Sequence, residues 1–190
     1  QYEKGGVKIE TEWGYAISAR RLIIACGYES QRYLRRKIEQ TLSTYAVISE
    51  PLAGEELWFR NALIWETATP YCYFRTTDDR RIVIGGKDDA FYNPAKRDAS
   101  IPRKRIQLEN TFHKLFPHIP FRTDFSWAGF FSGTKDGLPY IGAVPECPHT
   151  WFALGFGGNG ITFSVIAAQI ISDLLAGKKN PYAGLFSFNR

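Results

Sequence analysis

Apolar and polar residues alternate in short runs through most of this chain, and three stretches change to a helical period. Residues 7–12 alternate as a half-buried strand does, Trp13 and Gly14 turn the chain, and 15–19 return, which predicts a hairpin. The run 21–26 (RLIIAC) is apolar without interruption and ends at Gly27, the pattern of a short buried strand. Strands are also predicted at 43–50, stopped by Pro51, and at 63–68, 71–76 and 81–86. The last two are joined by a turn at Thr77, Asp78, Asp79 and Arg80, giving an antiparallel run. Residues 121–131 are the longest alternating stretch, with Phe121, Thr123, Phe125, Trp127, Gly129 and Phe131 on one face. Of the helical stretches, 29–40 reads as charged and exposed. A second runs over 101–116, capped by Ser100, with Pro102 in its first turn and Pro117 ending it.

The third helical stretch belongs to the segment on which the rest depends, 151–177 (WFALGFGGNGITFSVIAAQIISDLLAG). It opens as a buried strand, passes through Gly155, Gly157, Gly158 and Gly160, and continues as a helix. Ile161, Ile166, Ala167, Ile170, Ile171, Leu174 and Leu175 lie on its apolar face, and Gly177 stops it. Strand, glycine turn and helix start form an anion and dinucleotide site, because the glycines admit a ligand to the backbone and the first-turn N–H groups point at it. Gly155, Gly157 and Gly160 match G-x-G-x-x-G. A Rossmann fingerprint also needs a following strand and an acid about twenty residues on, whereas only a short tail remains and Asp173 comes too early. The turn therefore presents helix N–H groups to a cofactor whose nucleotide end is held elsewhere, or it lets the helix pack closely on its strand. Antiparallel strands with flanking helices, plus a terminal strand–turn–helix unit, define an α+β fold.

Composition narrows this picture. With 14 Phe, 10 Tyr and 5 Trp in 190 residues the chain is a packed sheet protein rather than a disordered one. There is no methionine, so Gln1 is not a translational start and a fragment, a processed product or a trimmed chain is expected. No apolar stretch is long enough for a membrane span, because Ser164, Gln169, Ser172 and Asp173 interrupt the last helix. Cys26, Cys72 and Cys147 lack metal or disulfide-framework spacing, which places the chain in a reducing cytoplasm with no metal site. The net charge of +5 falls in clusters at Arg35, Arg36 and Lys37 and at Arg103, Lys104 and Arg105, read as solvated helix faces and not as a nucleic-acid surface. His113, His118 and His149 read as surface residues, and the pairs Asp78–Asp79 and Asp88–Asp89 as turn residues. No catalytic residue is singled out. Two candidate sets remain: Lys135 and Asp136 in a glycine-rich loop, and Tyr71, Tyr73 and Phe131 as walls of a pocket, each against an ordinary turn or core role.

Read together, GTKDGLPYIG (133–142) and ALGFGGNGITFS (153–164) resemble the C-terminal part of the FAD-dependent oxidoreductases that include glycine oxidase, sarcosine oxidase and D-amino-acid oxidase. RLIIACGYES (21–30) resembles the strand and Ala-x-Gly turn that closes the family's nucleotide-binding half. Bacterial amine oxidoreductases acting on glutamylated putrescine look most similar. The resemblance implies FAD contacts at Cys26, Gly27, Phe156, Gly157, Gly158, Asn159, Gly160, Ile161 and Thr162, and substrate contacts at Tyr71, Tyr73, Phe131 and Lys135. It implies FAD-binding parts at 1–40 and 133–190 flanking a substrate sheet at 41–132, with the N-terminal Rossmann unit lacking. The implied reaction is hydride removal from a carbon bearing an amine. Alone, the fragment is expected to be inactive and to hold little FAD; a non-catalytic binding or assembly module is the alternative.

Departures from the family pattern shape the expected substrate. Where glycine oxidases place an arginine ahead of the P-G-T-K-D-G run there is Phe131, and where they place a basic residue in the helix turn there is Gly158. An α-carboxylate would lose both partners, so an amine is expected rather than a simple amino acid. The cysteine that attaches FAD covalently in sarcosine oxidases has no counterpart at 130–135, which implies non-covalent FAD. The lysine associated there with oxygen activation is replaced near Val83, leaving oxidase and dehydrogenase both open.

Overall fold

The computed structural model describes residues 1–54 and 57–190. In chain order the elements are β1 (Tyr2–Glu3), β2 (Gly6–Glu10), β3 (Ala16–Ala19), β4 (Leu22–Ile24), β5 (Gln40–Ser49), β6 (Ile64–Trp65), β7 (Tyr73–Thr76) and β8 (Ile82–Asp89). Then come α1 (Pro94–Leu115), β9 (Thr123–Gly133), β10 (Tyr140–Ala143), β11 (Thr150–Leu154) and α2 (Gly160–Leu175). The α+β class holds. The chain divides into two compact units, one of Gln1–Gln40 with Phe131–Arg190 and the other Thr41–Phe130.

The unit Thr41–Phe130 is built on a five-stranded sheet in the order β6-β7-β8-β5-β9. Strands β7 and β8 form the hairpin expected from the 77–80 turn, pairing Thr76 with Ile82 and Tyr73 with Gly85. Gly85 is required by its neighbour: a Cβ there would stand 2.1 Å from the Tyr73 ring. One sheet face buries Tyr45, Val47, Phe74, Ile82 and Ile84 against Leu108 and Phe112 of α1. Lys104, Leu108 and Phe112 recur every four residues, so they share the inward face of that helix.

In the other unit β1, β2 and β3 form an antiparallel sheet, and a second sheet runs β10-β11-β4. There β10 is antiparallel to β11, and β11 is parallel to β4. Period-two alternation in β11 sends Phe152 and Leu154 into one core with Ile24, Val144 and Phe188. It sends Ala153 into the other, where Ala167, Ile170 and Ile171 of α2 pack with Ile141 and Phe186.

Several sequence expectations need correction. Residues 29–40 do not form a helix; a 3-10 turn covers Gly27–Tyr33 and an irregular stretch follows. No apolar stripe holds this charged segment helical, and the Gln31 carboxamide turns the chain by accepting from the Ile38 and Glu39 amides and donating to the Arg36 carbonyl. Helix α1 starts earlier than Ser100, at Pro94, capped by the Asn93 side chain accepting from the Lys96 amide. Pro102 consequently lies inside the helix. Lys104, read as solvated, is buried. In β9, Phe125 and Trp127 are 62% and 38% exposed and stack on each other, while Ala128 of the opposite face packs on the core. The predicted strand 63–68 shrinks to β6, and part of the expected loop 133–142 is strand β10.

Candidate functional site

The glycine turn leaves β11 at Gly155, whose φ is +79°. A Cβ there would stand 2.5 Å from Cγ2 of Thr134, so neither the conformation nor the space accepts a side chain. Gly157 is also left-handed, at φ +55°, and its N–H donates to the Ser132 carbonyl at 2.9 Å. The turn is thus wedged against the end of β9 before α2 begins. Asn159 precedes α2 without a side-chain cap bond, and no acid stands in the first turn. Among the described residues no acceptor is bonded to the amides of Gly158, Gly160, Ile161 or Thr162. Gly158, Asn159, Ile161 and Thr162 are exposed, Ile161 to 87%. Unpaired N–H groups at the positive end of a helix dipole are suited to an electron-rich ligand edge.

Beside this helix lies an apolar groove of about 480 Å³, lined by Ile23, Ala25, Ala153, Phe156, Ala167 and Ile171 among others. The strand β4 on its far side leads directly to Cys26 and Gly27. Both are exposed; the Cys26 amide donates to the Ser30 hydroxyl at 3.1 Å, and Gly27 is left-handed at φ +61°. Cys26, Gly27 and residues 156–162 therefore belong to one unit.

The loop carrying Lys135 is held from the C-terminal end of the chain. Arg190 donates to both oxygens of Asp136, at 2.7 and 3.1 Å, and to the carbonyls of Leu138 and Pro139, while its guanidinium lies 3.7 Å from the Tyr140 ring centroid. The Arg190 bonds hold the Asp136 carboxyl well below the usual carboxylate range, against an opposing effect of burial. Lys135 itself is exposed at the loop tip. Arg190→Ala is expected to cost about 1 kcal/mol, the scale of an exposed ion-pair network. Amide exchange should rise at Gly137 and Leu138 while β11 is unaffected; unchanged exchange there would show that the loop is shaped without this contact.

Of the expected substrate residues, Tyr71 and Tyr73 stand in the unit Thr41–Phe130, with ring centroids 6.5 Å apart and Trp65 6.2 Å from Tyr71. Phe131 and Lys135 stand in the other unit. Burial raises the Tyr73 hydroxyl above its ordinary range, with Asp88 adding to the effect.

One residue escaped sequence reading. Glu39 is 3% exposed, and neither carboxyl oxygen has a hydrogen-bond partner among the described residues. It stands against the glycine turn, with Oε1 3.7 Å from the position a Gly155 Cβ would take. Burial pushes its pKa up to about 7, and the nearby Gly155 amide only partly opposes this. The sequence carried one signal, an acid next to Ile38 at the entry of a buried strand, which an exposed-helix reading of 29–40 concealed. Among the described residues no group of three or more His, Cys, Asp or Glu could hold a metal ion.

A nucleotide-cofactor protein of α+β fold is the class these features define. The chain belongs to the FAD dependent oxidoreductase family, which residues 1–174 match. It is 35% identical over 136 residues to glycine oxidase of Bacillus subtilis (strain 168), covering 68% of this chain and 35% of that protein. It is 26% identical over 188 residues to glycine oxidase of Geobacillus kaustophilus (strain HTA426), covering 95% and 46%. Among solved structures, iminodiacetate oxidase from Chelativorans sp. BNC1 superposes with a TM-score of 0.76 at 17% identity, covering 98% of this chain and 51% of that one. Glycine oxidase from Geobacillus kaustophilus gives 0.73 at 20% identity, covering 99% and 50%. The chain thus spans less than half the length of these two curated relatives and about half of the two solved chains.

Proposed function

We propose that this chain is the substrate-sheet and flavin-end portion of an FAD-dependent oxidoreductase that oxidises a C–N bond of an amine. The observation that carries the reading is the uncapped first turn of α2, its Gly160, Ile161 and Thr162 amides unpaired among the described residues, beside an apolar groove in a chain of this family. Residues 156–162, with Cys26 and Gly27, would hold FAD non-covalently. The helix N-terminus favours an electron-rich ring edge by direct N–H bonds and its dipole. FAD supplies the hydride acceptor, and the resulting imine is hydrolysed by water. The chain's part is to orient the ring and exclude water from it. We assign substrate contacts to Tyr71, Tyr73, Phe131 and Lys135, the substrate sheet to 41–132, and the FAD-binding parts to 1–40 and 133–190.

The nucleotide end of FAD requires a further Rossmann segment. The exposure of Ile23 on β4 and of Ile161 and Val165 on α2 supports this, since a parallel strand pair is ordinarily covered on both faces. Alone, the chain binds FAD weakly and does not turn over. Free Cys26, Cys72 and Cys147 agree with a reducing cytoplasm, and no helix among the described residues is long and apolar enough to cross a membrane.

Phe131 and Gly158 offer no cation to an α-carboxylate, which directs the choice to amines, polyamine derivatives included, over glycine or sarcosine. The test is a flavin titration followed by an amine screen, with the chain alone and joined to a nucleotide-binding segment. Tight, acid-releasable FAD in the joined form and preference for polyamine derivatives are expected. A yellow acid pellet would refute non-covalent attachment, and preference for glycine would refute the substrate class. The second reading is a non-catalytic binding or assembly module. Joined protein that takes up no flavin would favour it.

A further inference from the structure

We propose that Glu39 completes the glycine-turn site, meeting through both carboxyl oxygens a ligand edge that carries a donor beside an acceptor. The inference rests on the flavin reading of the turn and names a contact on it. Glu39 is 3% exposed, both oxygens lack partners among the described residues, and Oε1 lies beside Gly155, the residue from which the turn starts. An acid kept for structure alone is bonded where it is buried, because an orphaned polar group in the interior is costly. Its own N–H is already satisfied by Gln31, so the buried carboxyl is the part left without a partner among the described residues.

The surroundings favour the neutral acid. The Gly155 amide is the one polar group that acts on the carboxyl, and no Lys, Arg, His, Asp or Glu among the described residues does so. The adjoining elements contribute Thr134 of the loop after β9, whose hydroxyl donates to the Leu138 carbonyl. A neutral carboxyl offers one O–H donor and one C=O acceptor, whereas a carboxylate only accepts. The matching ligand edge is an imide or amide pair, and the pyrimidine edge of a flavin ring carries one. A phosphate is the wrong partner, since it mainly accepts and leaves the C=O of the neutral acid without a donor.

Two substitutions separate a ligand contact from a packing role. Glu39→Gln keeps a donor and an acceptor but does not titrate; Glu39→Leu removes both. FAD affinity is read by quenching of flavin fluorescence on titration into the chain joined to a nucleotide-binding segment, with circular dichroism checking the fold of each variant. Wild-type affinity is expected to fall about tenfold as pH rises from about 6 to about 8, since binding selects the protonated form. Glu39→Gln should match the wild type at the lower pH and show no such fall. Glu39→Leu should bind about tenfold more weakly at the lower pH, as expected for two lost hydrogen bonds. Equal FAD affinity for folded Glu39→Leu, or a pH profile that Glu39→Gln shares, overturns the inference while leaving the flavin reading intact. Wild-type protein that takes up no flavin even when joined to a nucleotide-binding segment overturns the flavin reading, and this inference with it.

Discussion

Replacing Lys104 by alanine is expected to destabilise the Thr41–Phe130 unit by about 3 kcal/mol, the lower end of what breaking a buried ion pair costs. The Lys104 ammonium is 7% exposed and donates to Asp89 at 2.7 Å and to the Lys87 carbonyl, both on β8. It also lies 4.9 Å from the Tyr45 ring centroid, and the Tyr45 hydroxyl donates to the same Asp89. One cation therefore fastens α1 to β8 and β5. Burial pushes the Asp89 carboxyl up, but the bonds from Lys104 and Tyr45 outweigh it and bring its pKa below the ordinary value. A carboxylate with a lowered pKa stabilises the fold at neutral pH and loses that contribution as pH falls through its native value. Asp89 is 26% exposed, which is why the lower end of the range applies. Denaturant unfolding of Lys104→Ala, Asp89→Leu and a Lys104→Met/Asp89→Leu pair decides the matter. The pair should recover most of the loss, because it leaves no unpaired charge. If it is as unstable as Lys104→Ala, packing and not charge pairing explains the effect.

The second large effect is a pH dependence of stability from Glu39. Its native pKa is about 7 against an ordinary 4.5. Below the ordinary value the acid is protonated in both states and contributes nothing. Between the two values only the unfolded chain ionises, so the native state binds more protons and stability falls as pH rises. The full penalty, about 3 kcal/mol, is reached above the native value. Unfolding of Glu39→Gln against wild type across that window should show a stability difference that grows in favour of Gln up to neutrality and then levels. A difference that stays flat would mean that Glu39 is ionised, or paired, in the folded protein.

Legibility of the molecule in its sequence followed the range of the forces involved. The 7–19 hairpin, the 71–86 hairpin, the last strand and the last helix were all readable because alternation, turn residues and glycine are local signals. The start of α1 was misread because Asn93 and Pro94 offered a valid cap ahead of Ser100, and Pro102 was tolerated once its neighbours were helical. Alternation in 121–131 set four aromatic residues, Phe121, Phe125, Trp127 and Phe131, on one face without deciding which of them the core would take. Phe125 and Trp127 instead stack on each other at the surface. For the candidate site, the turn and helix start were legible as a motif, while Glu39 was not, since nothing in a single acid announces burial.

By itself the sequence determined the α+β class, the glycine turn that a side chain would block, and the family to which the chain belongs. The first two rest on steric limits and periodicities that act within a few residues, and the third on the resemblance carried by 133–142 and 153–164. Only the tertiary structure decided that Lys104 is a buried tie and not a solvated charge, that Arg190 clasps the Lys135 loop, and that Glu39 stands against Gly155 without a partner among the described residues. Each of those depends on what residues more than ten positions away bring alongside, and desolvation is a property of that assembled neighbourhood rather than of the residue itself.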